Sequence, residues 1–117
     1  MTVYYSKKGE NWYDGKKQFL EKGNCEVISE YLQDLTKGDR FQIEMVHPYS
    51  ESYDECCKQA QNDLSRNARP DIKPLCYPLE EYERIYLVYP IYWSTCPMAV
   101  LSFLDRYDCS KKSVFLI

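Results

Sequence analysis

Residues 84–100 read RIYLVYPIYWSTCPMAV, and this stretch decides the fold class. Residues 85–89 form a nearly continuous apolar run, which is typical of a parallel strand that is covered on both faces at the centre of a sheet. Residues 90–97 are predicted to form a loop, and residues 98–107 a helix rich in apolar side chains. A central strand followed by a helix is the unit from which α/β folds are built.

The rest of the chain repeats this alternation of strands and helices. In chain order, the other predicted elements are a strand at 2–5, a long loop at 6–23 with at most a helical turn near 17–20, a helix at 24–37, a strand at 41–45, a helix at about 51–67, an extended segment at 69–78 and a strand at 113–117. Asn24 is the expected N-cap of the first helix, and Gly38 its stop. The order β-α-β-α-β-α-β predicts a three-layer α-β-α sandwich with a parallel sheet. The polar alternation at 41–45 favours an edge position for that strand.

Composition restricts the classes of function. The 117 residues fit one domain, and a net charge of −3 argues against a nucleic-acid-binding protein. No apolar run approaches the roughly 18 residues of a membrane span, and the absence of a signal peptide predicts a cytoplasmic protein with free thiols. The single histidine, His47, and the absence of a Cys-x-x-Cys pair argue against a metal site.

The loop after the first strand and the start of the first helix have the composition of a phosphate site. Ser6 offers a hydroxyl, Lys7 and Lys8 offer positive charge, and residues 23–25 open the helix. The free amide groups and the dipole of a helix N-terminus favour an anion. A capped helix with two solvated lysines explains the same residues. There is no Gly-x-Gly-x-x-Gly or Gly-Lys-Ser/Thr motif, which argues against dinucleotide and nucleoside triphosphate sites.

The loop after the central strand carries two aromatic residues, Tyr92 and Trp93. In parallel sheets, ligands bind at the carboxyl ends of the strands. A flat amphipathic ligand would stack on these rings and use nearby backbone amides for its polar edge. The alternative interpretation is that Trp93 plugs the end of the sheet.

Together these motifs resemble the flavodoxin-like family, in particular its small bacterial members with an insert in the phosphate loop. The motifs are Tyr4-Tyr5-Ser6-x-x-Gly9-Glu10-Asn11, Gly23-Asn24-x-Glu26, Asn67-Ala68-Arg69-Pro70 and Pro90-x-Tyr92-Trp93-x-Thr95-x-Pro97-Met98-Ala99-Val100. The resemblance implies a flavodoxin-like sheet of order 2-1-3-4 with the fifth strand missing. It also implies FMN as cofactor, with either electron transfer or the reduction of small acceptors such as quinones as the function. A redox partner protein or NAD(P)H would then be a second partner, and the chain would be a candidate FMN-dependent oxidoreductase.

The resemblance also implies two sets of cofactor-binding residues and no catalytic residue of the protein itself, because the flavin carries the chemistry. The phosphate set is Ser6, Lys7, Asn24 and Cys25, with Lys8 adding charge. The ring set is Pro90, Ile91, Tyr92, Trp93, Ser94 and Thr95.

Several positions depart from the family pattern. The family usually has Thr at the positions of Lys8 and Cys25, Gly at Ser94 and Met at Cys96. A thiol at Cys25 is a weaker donor than a hydroxyl, and Ser94 lies where a backbone rotation beside the flavin would favour glycine.

The family also continues beyond the fourth strand, so residues 1–117 are expected to form a single, C-terminally incomplete domain. Its last strand would then be an apolar edge prone to self-association. The alternative function is therefore a truncated, non-catalytic module that acts as an oligomeric or interaction protein. A phosphate-ester enzyme on the same scaffold would lack an evident nucleophile and base.

Overall fold

The elements of the computed structural model alternate in the predicted way, with one addition. The structure describes all 117 residues except the side chain of Tyr13. In chain order the elements are β1 (Thr2–Tyr4), β2 (Gly9–Tyr13), β3 (Lys16–Leu20), α1 (Asn24–Thr36), β4 (Arg40–Gln42), α2 (Tyr53–Ser65), a 3-10 helix (Leu79–Glu81), β5 (Arg84–Val88), α3 (Met98–Arg106) and β6 (Ser113–Leu116).

The main sheet of the described residues has the order β4-β1-β5-β6, and all of its neighbouring strands are parallel. Successive residues of β5 point to opposite faces: Leu87 packs with Phe103 of α3, whereas Val88 packs with Cys25 of α1. Helix α2 contacts α3. The three-layer α/β sandwich predicted from the sequence is therefore confirmed, with β5 in an interior position.

The prediction of a loop at residues 6–23 is wrong, because β2 and β3 pair there as an antiparallel hairpin. The strands meet at Asp14 and Gly15, whose φ angles are 54° and 78°. Two consecutive positive φ angles are typical of a type I′ turn, the turn that matches the twist of a two-residue hairpin. The hairpin lies in the connection between β1 and α1, at the carboxyl end of the sheet.

Smaller differences concern the ends of elements. The N-cap of α1 is Gly23 rather than Asn24, and its C-cap is Lys37, in the left-handed conformation, rather than Gly38. Strand β4 is shorter than predicted, since Met45 pairs in an isolated bridge with Ile72. As expected, β4 and β6 form the sheet edges. No helix of the described chain is both long enough and apolar enough to cross a bilayer.

Candidate functional site

The carboxyl ends of β1 and β5 open onto a pair of adjoining cavities. The larger, here called the polar cavity, has a volume of about 730 Å³ and lies between the loop after β1, the start of α1 and the segment after β4. The smaller, the aromatic cavity, has a volume of about 350 Å³ and lies between the hairpin, α2 and the loop after β5. Lys7, Cys56 and Tyr92 line both cavities, so the two form one continuous candidate site.

The polar cavity depends on close contact between the loop after β1 and the start of α1. The backbone N–H of Glu26 donates to the Ser6 hydroxyl oxygen at 3.1 Å. Gly23 is pressed against the same loop, because a Cβ there would lie 2.2 Å from Ser6 Oγ and 2.4 Å from the Lys7 carbonyl oxygen. The first amides of a helix have no partner within the helix; the Glu26 amide finds one in Ser6, and the helix dipole favours an anion at this end.

The predicted phosphate residues are only partly brought together. Ser6, Lys7 and Lys8 line the polar cavity, and the Lys7 ammonium donates to the Glu51 carbonyl oxygen at 3.0 Å. Asn24 and Cys25 lie on the first turn of α1, but neither lines the cavity. The Cys25 side chain instead packs into the core between β1, β5 and α1, and burial raises the pKa of its thiol to about 11.

The loop after β5 contains a tight turn over residues 92–95. Tyr92 and Thr95 exchange backbone hydrogen bonds of 2.7 and 3.2 Å, and the residues between them, Trp93 and Ser94, have φ angles of 52° and 68°. This is the type I′ geometry, which favours Asn-Gly. Non-glycine residues held in the left-handed region store strain, and such strain clusters at functional sites.

The two aromatic side chains of this turn have different environments. Tyr92 packs edge-to-face on Tyr5 with ring centroids 6.0 Å apart, and burial raises the pKa of its hydroxyl. Its buried oxygen has the Tyr5 hydroxyl and the Cys56 thiol as polar neighbours. Trp93 is 49% exposed, and its indole N–H donates to the Cys57 carbonyl oxygen of α2 at 3.0 Å. Trp93 is thus a wall of the aromatic cavity rather than a plug beneath the sheet.

The other ring residues divide into two groups. Pro90 and Ile91 line the aromatic cavity, and Ile91 is largely exposed. Ser94 and Thr95 are exposed and line neither cavity among those described. Their contribution is to the shape of the turn, which sets the position of Trp93.

Sequence reasoning missed Trp12, which lies on β2 of the hairpin and lines the aromatic cavity. Its ring packs edge-to-face on Tyr53, with centroids 6.0 Å apart. The signal that could have revealed it is the pair Asp14-Gly15, because Asp-Gly is among the strongest local indicators of a hairpin. A hairpin in this loop places its strands over the end of the sheet.

The hairpin is fixed to the start of α2 by several polar contacts. Glu10 donates its backbone N–H to the Glu51 carbonyl oxygen at 2.9 Å and accepts from the Tyr53 N–H at 3.0 Å through its carboxylate. Lys17 pairs with Asp54 at 2.9 Å. The Glu10 carboxylate therefore serves as the side-chain cap that Ser52, the N-cap of α2, does not supply.

Comparison with known proteins identifies the family. A flavodoxin family model matches residues 17–117. The chain belongs to the flavodoxin family. Two crystal structures with the same fold are those of candidate flavoproteins from Bacteroides eggerthii, at 19% identity and a TM-score of 0.78, and from Bacteroides uniformis, at 18% identity and a TM-score of 0.77.

The alignments cover 98% and 99% of this flavodoxin-family chain and 66% and 68% of those two proteins. The chain thus spans about two thirds of their length. No curated protein is similar enough to the chain to count as a match.

Proposed function

We propose that this member of the flavodoxin family binds FMN and works in electron transfer or in the reduction of small acceptors such as quinones. The observation that carries the proposal is the meeting of an anion-attracting helix start and an aromatic turn at the carboxyl edge of β1 and β5. That edge is where open α/β sheets bind ligands. The FMN phosphate would lie in the polar cavity, and the flavin ring against residues 90–93.

The phosphate end fits the residues present. Gly23 at the α1 start lines the polar cavity together with Lys7 and Lys8, and the absence of a side chain at Gly23 lets the loop approach the helix closely. Four glutamates, at positions 21, 26, 44 and 51, line the same cavity beside four lysines, so the lysines of the loop after β1 must outweigh this negative charge for a phosphate to bind. The Glu26 amide is directed to Ser6 rather than to the cavity. Neutral Cys25, buried in the core, neither attracts nor repels the anion.

The ring end fits as well. Trp93 and Ile91 offer exposed apolar surface at the mouth of the aromatic cavity, and a conjugated ring gains stacking energy from such walls. The buried Tyr92 hydroxyl lies beside the Tyr5 hydroxyl and the Cys56 thiol, so it is not a free polar group for the ligand. Pocket volumes of roughly 300–1,000 Å³ are usual for cofactor sites, and both cavities fall within that range.

The protein's part in the reaction would be to bind and orient. When bound, the flavin supplies the exchange of electrons with a donor and an acceptor. Trp93, held on α2 by its indole N–H, would fix the plane of the ring, while Lys7 would place a positive charge where the two cavities meet. A positive charge beside a ring that gains electrons stabilises the reduced form.

The first test is a titration of the purified chain with FMN and with riboflavin, followed by flavin fluorescence and the visible spectrum. Binding of FMN that is at least about tenfold tighter than that of riboflavin would indicate a phosphate contact, since charge-assisted hydrogen bonds contribute roughly 1.5–3 kcal/mol. Lys8→Ala should weaken FMN but not riboflavin, whereas Lys111→Ala, far along the chain, should change neither. A chain that stays colourless and does not quench FMN refutes the proposal.

The second test addresses the acceptor. The FMN-loaded chain should be reduced by NAD(P)H or by a partner reductase, and reoxidised by a naphthoquinone, as followed by the bleaching and recovery of its visible absorbance. If the chain binds FMN but none of these donors reduces it, the proposal of FMN binding stands and the proposal of an oxidoreductase is wrong.

A second candidate function, a non-catalytic interaction module, is favoured by the exposed edge of the sheet. Phe115, Leu116 and Ile117 are about half exposed or more, and Phe115 stacks on Tyr86 of the neighbouring strand. Such apolar edges pair with other strands. Sedimentation of the 117-residue chain tests this candidate: Leu116→Lys should convert an oligomer to a monomer, and a wild-type monomer would exclude self-association by this edge.

A further inference from the structure

The hairpin insert adds an aromatic side chain, Trp12, to the candidate site. This residue belongs neither to the family motifs nor to the loop after β5. Trp12 is 52% exposed. Its packing on Tyr53 alone adds little stability, so stability does not explain why a large indole stands at this exposed position. It faces the aromatic cavity together with Trp93, which comes from a different part of the chain. Two indoles from separate elements thus border one small space.

The position of Trp12 is fixed by the fold rather than left to a flexible loop. Glu10, two residues away on the same strand, is bonded to both Glu51 and Tyr53 of the α2 start. Gly9 is packed so closely that a Cβ there would lie 2.8 Å from the Glu51 Cβ. A side chain held in this way is preorganised, and preorganisation reduces the entropic cost of binding.

The chemistry of the aromatic cavity restricts its occupant. Its described lining contains no carboxylate and a single cation, Lys7, which is paired only with carbonyl oxygens. Aromatic and aliphatic walls favour a flat conjugated ring, and the ammonium favours a ring whose edge carries electron-rich carbonyl oxygens. A volume of about 350 Å³ is enough for one such ring system.

We propose that Trp12 is a ring-binding residue. The aromatic cavity holds a flat, carbonyl-bearing conjugated ring between the side chains of Trp12 and Trp93, and the carbonyl edge of the ring faces Lys7. The ring is either the flavin itself or a quinone. The proposal rests on the proposed function only where the ring is that of the flavin. It gives the hairpin insert a role in recognition rather than in folding alone.

The test uses the indole N–H signals of the ¹⁵N-labelled chain, because the sequence has only two tryptophans and ring-current shifts are local. Trp12→Phe identifies the Trp12 signal. FMN is added first, and a naphthoquinone is then added to the FMN-loaded chain. A shift of the Trp12 signal with FMN assigns the cavity to the flavin, and a shift only with the quinone assigns it to the acceptor.

Affinity supplies the second readout. Trp12→Ala should weaken the binding of whichever ligand shifts the signal by about two- to tenfold, because an aromatic pair contributes roughly 0.5–1.5 kcal/mol. Trp12→Phe should weaken it less. Phe19→Ala, a change of another exposed aromatic of the same hairpin, should leave the affinity unchanged. Far-ultraviolet circular dichroism confirms that each variant is folded.

The outcomes separate this inference from the proposed function. If FMN binds but neither ligand moves the Trp12 signal, the inference is wrong and the proposed function stands. If FMN does not bind and the naphthoquinone still shifts Trp12, the proposed function fails and the cavity assignment holds. If neither ligand binds, both fail.

Discussion

The polar and aromatic cavities share one edge of the sheet but are built in opposite ways. The polar cavity is formed by close approach of backbone: Gly23 has no room for a single additional carbon against Ser6 and Lys7. The aromatic cavity is formed by large side chains from three elements, and its two indoles remain about half exposed. The shape of the polar cavity should therefore be disturbed by substitutions that add atoms, and that of the aromatic cavity by substitutions that remove them.

This difference has an energetic consequence. Overpacking a close contact forces the backbone apart and costs about 1–3 kcal/mol or more, so changes on the polar side should affect folding and binding together. Truncation of a half-exposed ring removes little packing, so changes at Trp12 or Trp93 should affect binding far more than stability.

The largest effect is expected for Gly23→Ala. The new Cβ would lie 2.2 Å from Ser6 Oγ, so the loop must move away from α1 and the hydrogen bond from the Glu26 amide to Ser6 must break. We expect a loss of about 3 kcal/mol in the free energy of unfolding and loss of measurable FMN binding. Urea denaturation and FMN titration measure the two effects.

Gly38→Ala is the matched control for this change. Gly38 has an ordinary φ, and its nearest contact would be 3.5 Å from the new Cβ, so stability and FMN binding should both be close to those of the wild type. If Gly23→Ala behaves like Gly38→Ala, the loop is not held against the helix, and the polar cavity loses its described shape.

The next effect concerns pH and the Cys25 thiol. Burial raises its pKa from 9.0 to about 11, so the folded state binds this proton more tightly than the unfolded state does. Its contribution to stability is therefore complete below pH 9 and is lost as the pH rises toward 11. The loss is about 2 kcal/mol, measured as the free energy of unfolding between pH 8 and pH 11.

Cys25→Ala should lack this part of the pH dependence, although its stability at pH 8 will be lower because a buried sulfur is removed. Cys76→Ala, which alters an exposed cysteine, should keep the wild-type dependence. If the free energy of unfolding changes with pH in the same way in the wild type and in Cys25→Ala, the thiol is not buried in the core. Cys25 would then be a candidate lining residue of the polar cavity again.

The fold could be predicted from sequence because its signals are local. The apolar run at 85–89 marks a buried strand by composition alone, and the apolar spacing at 24–37 marks a helix. The end of β4 could not be predicted in the same way, since residues 41–45 alternate throughout. The chain leaves the sheet after Gln42 because Met45 pairs with Ile72, a partner that is distant in sequence.

The site was less predictable, because its walls come from segments that the sequence does not mark as neighbours. Trp93 could be selected from its loop, but Trp12 requires both the Asp14-Gly15 turn to be recognised and the hairpin to be docked on α2. Cys25 is the opposite case. Its position at the helix start suggested a phosphate contact, but the helix face it occupies directs its side chain into the core.

The smallest effect, and one of opposite sign, is expected for Ser94→Gly on the aromatic side. Ser94 has a φ of 68°, a conformation that costs an L-residue about 1 kcal/mol and glycine almost nothing. The variant should therefore be more stable than the wild type by somewhat less than 1 kcal/mol, because glycine also gains freedom in the unfolded chain. Thermal and urea denaturation measure this gain.

Thr95→Gly, the neighbouring change in the same turn, provides the comparison, since Thr95 does not have a positive φ. It should destabilise the chain, because it adds unfolded-state freedom without relieving strain. If both variants are destabilised equally, the turn is not strained at Ser94. If Ser94→Gly instead stabilises the chain while FMN affinity falls, the strained serine holds Trp93 in its binding position, and stability is lower in the wild type because the site requires that geometry.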